Sequence, residues 1–188
     1  MKTALKVICA VLILCIIIFV GINNNLVTLK EDVDMQQSQV QTTLQRRSDL
    51  IPNLVATVKG YAAHEEKVFT EISEARSKLA GCIETGDMES ISNANSSLDS
   101  ALGRLLAISE SYPELKASEQ FIALQDELAG TENRIAVARQ YYNEKVKAYN
   151  TAIQTFPNSM IAGLNGYKSM PYFEADESAN KVPEINFE

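Results

Sequence analysis

The chain is 188 residues long, 46% apolar and 22% charged, with no tryptophan, eight glycines, five prolines and a formal net charge of −7. That length fits one domain with a short appendage. So few Gly and Pro argue against a β-sandwich, which needs turn residues at regular intervals, and the acidic balance argues against a nucleic-acid partner, whose phosphates require Lys and Arg.

The first element is an apolar helix. Val7 to Ile22 (VICAVLILCIIIFVGI) has no charged side chain. With Ala4, Leu5 and a snorkelling Lys6 it reaches the roughly 20 residues that a span requires. A cleaved signal peptide needs small residues before its cleavage site, and VGINNNLV offers no such pair. Neither Cys9 nor Cys15 is preceded by a lipoprotein-like run. Lys2 and Lys6 precede the span, and only Lys30 follows it before the acidic pair Glu31 and Asp32. By the positive-inside bias the N-terminus is expected in the cytoplasm and the remaining chain outside it.

Beyond the span, apolar residues recur every seven. One seam is Leu26, Val33, Val40, Arg47, Leu54, Tyr61, Val68 and Ala75; a second is Leu44, Ile51, Val58, Glu65, Ile72 and Leu79. Offsets of three or four make them one helical stripe. Both seams keep register through Pro52. The pattern therefore predicts one long helix, about Leu26 to Ala80, kinked near Asp49–Pro52; the alternative is two collinear helices with Ser48 or Asp49 as a new cap. GCIETG, residues 81–86, closes it. A second helix is expected over Asp87–Tyr112, ending before Pro113. A third is expected over Ser118–Phe156, with the seam Phe121, Leu128, Ile135, Tyr142, Tyr149 and Phe156. A short fourth fits Ser159–Leu164, with Met160, Ile161 and Leu164 on one face. The tail from Gly166 reads as extended, with Tyr172, Phe173, Ile185 and Phe187 able to dock it.

The fold expected is all-α: an N-terminal transmembrane helix, then an antiparallel up-down helical bundle of three long helices with room for a short fourth. Residues 1–25 form the signal-anchor, 26–165 the bundle, and 166–188 the tail. Asn23–Asn25 and the tail are the segments expected to flex.

Chemistry is sparse. Cys9, Cys15 and Cys82 make neither a disulfide framework nor, with one histidine, a metal pattern. His64 in HEEKV lacks the second histidine of a zinc motif, and a di-iron bundle needs more than one. There is no G-x-S-x-G elbow and no phosphate-cradling glycine loop. No cofactor, metal or catalytic residue is expected. Polar residues on the apolar stripes are the stronger signal: Arg47 sits in a core seam, and Glu132 and Arg139 flank the third helix's seam. Such groups must be paired and can set register. A layer in which Arg46 or Arg47 meets Glu132 is expected near Pro52.

The blocks LQRRSDLIPNLVATVKGYAAHE, SYPELKAS, ENRIAVARQYYNEKVKAYNTAIQTFPNSMIAG and FEADESANKVPEINFE, in this order, resemble the LemA family. The resemblance covers nearly the whole chain. It implies a bacterial membrane protein with an N-terminal transmembrane helix and a soluble helical domain, with no established reaction, substrate or cofactor. It carries over Arg46, Arg47, Asp49, Pro52, Asn53, Glu132, Asn133, Arg139, Tyr142, Asn143, Tyr149, Asn150, Phe156 and Pro157, as structural positions only. The function expected is that of a non-enzymatic, membrane-anchored interaction or scaffold protein of the cell envelope, in contact with lipid through its first helix and with a protein partner or a second copy. Self-association is expected through an uncovered seam at Leu26–Val40. The rival readings are an accessory subunit of a membrane enzyme such as a protease and, more remotely, a hydrolase using His64.

Overall fold

Helices account for nearly all of the regular structure in the computed structural model, which describes residues 2–174. Among them six helices occur in chain order: α1 (Lys2–Lys59), α2 (Glu66–Thr85), α3 (Met88–Ser109), α4 (Pro113–Lys116), α5 (Glu119–Gln154) and α6 (Asn158–Asn165). No strand is present among the described residues. The chain is all-α, with a long apolar helix at its N-terminus.

α1 runs unbroken from the apolar segment through Asn23–Asn25 and through Pro52. The Asn23–Asn25 junction, expected to flex, is therefore helical. Pro52 has no N–H, so the Ser48 carbonyl four residues back loses its helical donor. Arg76 of α2 replaces that donor: its Nε donates to Ser48 O at 3.0 Å. The helix passes its proline because a neighbouring helix supplies the missing hydrogen bond.

The expected single helix Leu26–Ala80 is instead two, and the break lies beyond Pro52, at residues 60–65. Gly60, a poor helix former, starts a turn: its N–H goes to Thr57 O, and both Tyr61 and Ala62 donate to Val58 O. Ala62 is buried inside the turn while His64 is exposed. Lys59 Nζ lies 5.1 Å from the centre of the Phe69 ring, linking the end of α1 to the start of α2. The second seam survives the break, with Ile72 and Leu79 of α2 buried like Leu44, Ile51 and Val58 of α1, whereas Tyr61 of the first seam is 44% exposed. Continuous phase identifies a shared core; it does not identify a single helix.

α2 ends on Gly86, which takes the left-handed conformation (φ 72°) that glycine adopts freely. Asp87 then caps α3 by accepting from Ser90 N, and this hydrogen bond holds its carboxyl below the usual carboxylate range. α2 and α3 pack together as a helical hairpin. Pro113 does not end α3, which stops at Ser109; it begins α4, at the position where its missing N–H costs nothing.

The chain divides into two units. The first comprises Met1–Gln37 and Tyr141–Pro171; the second comprises Ser38–Gln140 and Tyr172–Glu188. In the second unit, Val40, Leu44, Ile51, Leu54 and Val58 of α1, Phe69, Ile72 and Leu79 of α2, Ile91, Leu98, Leu102 and Leu105 of α3, and Phe121, Leu128 and Ile135 of α5 are buried. At about 1.5–3 kcal/mol per fully buried large apolar side chain, this core is the unit's main stabilisation.

In the first unit, Leu26 and Val33 of α1, Tyr142, Val146, Tyr149 and Ile153 of α5, and Ile161 of α6 are buried. Leu26, Val33 and Val40 have no exposed surface. The seam expected to lie open for self-association is thus filled by the chain's own helices. Phe156 departs from the expected α5 seam and is 80% exposed. α5 ends at Gln154, so Phe156 falls outside the helix and loses the heptad phase. Met160, Ile161 and Leu164 do not share a face: Ile161 is buried, and Met160 and Leu164 point outward. Phe173 is buried; Ile185 and Phe187 lie outside the described residues.

Candidate functional site

The polar centre of the second unit forms around Arg47, whose place in the α1 seam turns its side chain inward. That side chain is 6% exposed. Its Nη1 lies 2.5 Å from Asp99 Oδ1, 2.9 Å from Glu132 Oε2 and 3.3 Å from Asn95 Oδ1, to which it donates. Asn95 in turn donates from Nδ2 to Asp99 Oδ2 at 2.9 Å. α1, α3 and α5 therefore meet on one guanidinium group. One cation faces two carboxylates, which leaves the cluster with a net negative charge. Arg47 Nε, Asp99 Oδ1 and Glu132 Oε2 are buried without a hydrogen-bond partner, so the two carboxylates meet the arginine as ion pairs and the fork of donors is only partly used. Pairing a buried charge this way offsets its desolvation more than it adds stability, and it fixes the register of the elements that carry the partners.

A cleft of about 600 Å³ opens beside the cluster, lined by Arg47, Asp99 and Glu132 together with Leu102, Leu106 and Leu128. Its two carboxylates, Asp99 and Glu132, are each paired in charge with the arginine. Among the described residues no group of three or more His, Cys, Asp or Glu side chains is placed to hold a metal ion.

The other singled-out residues fall in several places. Arg46 is exposed and donates from Nη2 to Glu127 Oε1 at 2.8 Å, so Arg47 and not Arg46 reaches Glu132. Asp49 is exposed and accepts from Gln45 at 2.9 Å. Pro52, Asn53 and Asn133 are exposed. Arg139 takes no part in the Arg47 cluster. It donates to Glu174 O at 3.2 Å and lies 4.7 Å over the Phe173 ring, while Ser92 also donates to Glu174 O, at 3.0 Å. Together they seat Phe173 on the second unit.

In the first unit, α5 binds the non-helical segment after α6. Tyr142 donates its hydroxyl to Pro171 O at 2.8 Å and Tyr149 to Lys168 O at 3.1 Å. Asn150 makes a reciprocal pair with Met170: its Nδ2 donates to Met170 O at 2.9 Å, and Met170 N donates to its Oδ1 at 2.8 Å. Burial, with Asp34 nearby, pushes the Tyr142 hydroxyl up to about 12, and burial also raises that of Tyr149. Both remain protonated donors at any physiological pH. Lys145 of α5 donates to Asp32 of α1 at 2.8 Å, and this hydrogen bond raises the lysine's pKa.

Sequence reasoning missed Asn95, Asp99 and Arg76. Asn95 was legible: it stands four residues after Ile91 and three before Leu98, a polar residue on an apolar stripe. Arg76 and Asp99 gave no such signal, because surface arginines and aspartates are common on helices.

A LemA family sequence profile matches residues 36–187. The chain is 29% identical to magnetosome protein MamQ 2 of Paramagnetospirillum magneticum, a match covering 86% of this chain and 68% of the relative. It is equally 29% identical to magnetosome protein MamQ of Magnetospirillum gryphiswaldense, with the same coverage. To protein LemA of Metamycoplasma hominis it is 28% identical, over 85% of this chain and 72% of that one. The profile spans nearly all of the chain outside the apolar helix, and on that ground the chain belongs to the LemA family.

Proposed function

We propose that this is a non-catalytic, single-pass membrane protein of the bacterial cell envelope. It holds a helical module at the extracytoplasmic face of the inner membrane, where the module binds a protein partner or a second copy. The observation that carries the reading is α1 itself. Its first part is apolar, exposed and long enough to cross a bilayer, and the same helix continues into two buried cores. Residues 1–25 act as anchor, 26–165 as bundle and 166–188 as tail. The polar residues Arg46, Arg47, Asp49, Pro52, Glu132, Asn133, Arg139, Tyr142 and Tyr149 act as structural positions and not as a reaction centre. The relatives bear the names magnetosome protein and LemA, and neither name states a reaction; a shared module acting by contact accounts for both. Lipid contact comes through the anchor, and no cofactor is required.

Cys82 provides the test, because it is partly exposed and stands outside the anchor. A membrane-impermeant maleimide should label it in intact cells. Labelling only after lysis would reverse the topology. Crosslinking of intact cells should give either a ladder of one mass, for a scaffold of like copies, or one foreign partner, for an accessory subunit of a membrane enzyme. A monomer under every crosslinking condition would argue against the interaction role.

A further inference from the structure

Among the described residues outside the anchor, the most exposed large apolar side chains fall within nine residues of one another. Phe156 is 80% exposed, Leu164 78% and Met160 63%; the first two exceed every large apolar residue of the anchor itself. Single exposed apolar residues are ordinary, but a contiguous group marks a contact surface. Met160 and Leu164 are four residues apart on α6 and so share a face, while Ile161 of the same helix is buried. α6 is thus apolar on both sides, which in water leaves one face uncovered.

The position of α6 within the first unit indicates what covers that face. Asn165, its last residue, donates from Nδ2 to Asn23 Oδ1 at 2.8 Å. Asn23 is the first polar residue after the apolar segment that ends at Ile22. Eight helical residues extend only about 12 Å, so the open face of α6 stays close to the end of the span. Charge supports this placement. Residues 7–29 carry no charged side chain, and neither do residues 148–167, although 22% of the chain is charged. The two uncharged stretches meet at Asn23 and Asn165. Tyr167 follows α6, a residue type that favours the interface between headgroups and water.

We propose that α6 and the turn before it form a second membrane contact, lying in the plane of the bilayer surface with Phe156, Met160 and Leu164 in the boundary between headgroups and acyl chains. An interfacial helix of this kind binds by apolar burial. Lacking charge, it has no preference for anionic lipid and no dependence on salt. The proposal rests on reading residues 7–22 as a span. It adds that the first unit is seated against the lipid, which fixes the tilt and rotation of α1 at the membrane surface.

Site-directed spin labelling of the full chain in phosphatidylcholine nanodiscs tests it. Cys9, Cys15 and Cys82 are replaced by alanine, and single labels are placed through Val20→Cys in the span, Met160→Cys and Leu164→Cys on α6, and Ile122→Cys on the second unit. Labels 160 and 164 should be more accessible to oxygen than to a water-soluble nickel chelate, as at 20 and opposite to 122, and the pattern should hold in high salt. If 20 is in lipid and 160 and 164 respond to nickel, the α6 contact is wrong and the anchor stands. If 160 and 164 are shielded from both reagents, protein covers the face and the lipid assignment is wrong. If 20 itself responds to nickel, the span reading fails and the proposal falls with it. Both α6 positions point away from the core, so the substitutions leave it intact; circular dichroism of each labelled chain checks this.

Discussion

Arg47 shows why a single buried cation constrains more than its own surroundings. Its Nη1 donates to Asn95 of α3 and lies within ion-pair distance of Asp99 of α3 and Glu132 of α5, so removing it strands two carboxylates side by side and leaves Asn95 half-satisfied. Breaking a buried pair by deleting one partner costs several kcal/mol. Arg47→Met should therefore destabilise the protein by about 3 kcal/mol in chemical denaturation of the detergent-solubilised chain. Adding Asp99→Leu and Glu132→Leu should recover most of that loss, because an apolar layer of similar volume replaces the charges. If the triple variant is no better than Arg47→Met, the deficit is not electrostatic.

Tyr142 makes a second prediction at this scale. Its folded pKa, about 12, exceeds the value near 10 of an exposed tyrosine, so above pH 10 the unfolded chain binds fewer protons than the folded one. The stability that this burial contributes is complete below about pH 10 and is lost as pH rises through 12. Alkaline titration should show a loss of helix signal between these values that Tyr142→Phe shifts upward, with no such step between pH 5 and 9.

The helices owe their boundaries to backbone groups that find or lack partners. α1 passes Pro52 because Arg76 takes the Ser48 carbonyl; it ends where Gly60 and the following turn bend the chain back. The Arg76 explanation is open to a double-mutant cycle. Arg76→Met should cost about 1 kcal/mol with Pro52 present, the usual net value of a hydrogen bond. It should cost much less in a Pro52→Ala background, where the backbone N–H that the substitution restores can serve Ser48 O. Equal costs in the two backgrounds would show that Arg76 acts through packing and not through the carbonyl.

For the molecule as a whole, the C-terminal segment closes both units. Tyr142, Tyr149 and Asn150 hold residues 168–171 in the first, and Arg139 and Ser92 hold Phe173 and Glu174 in the second. The start of the tail is thus tied to the first unit through its backbone and to the second through the buried Phe173. Phe173→Ala should destabilise the second unit by about 3 kcal/mol, as for other buried phenylalanines. Hydrogen exchange should place the loss in α3 and the first part of α5, sparing α6; a uniform change across the chain would argue against a local docking role.

Residue type and spacing alone indicated an all-α chain and an apolar N-terminal helix long enough to span a bilayer, and they put Arg47 in a core seam while leaving open whether it or Arg46 meets Glu132. Each of these follows from residue type and spacing along the chain, and burial enforces such patterns strongly. The sequence could not locate the break at residues 60–65, because two helices packed on one core keep the phase of a single helix. It could not name Arg76, Asn95 or Asp99 as partners, since those pairings join positions 28 to 52 residues apart. It set Phe156, Met160 and Leu164 in apolar seams, and only the tertiary structure turned them outward. Spacing records which residues are apolar; what covers them depends on where the helix stops.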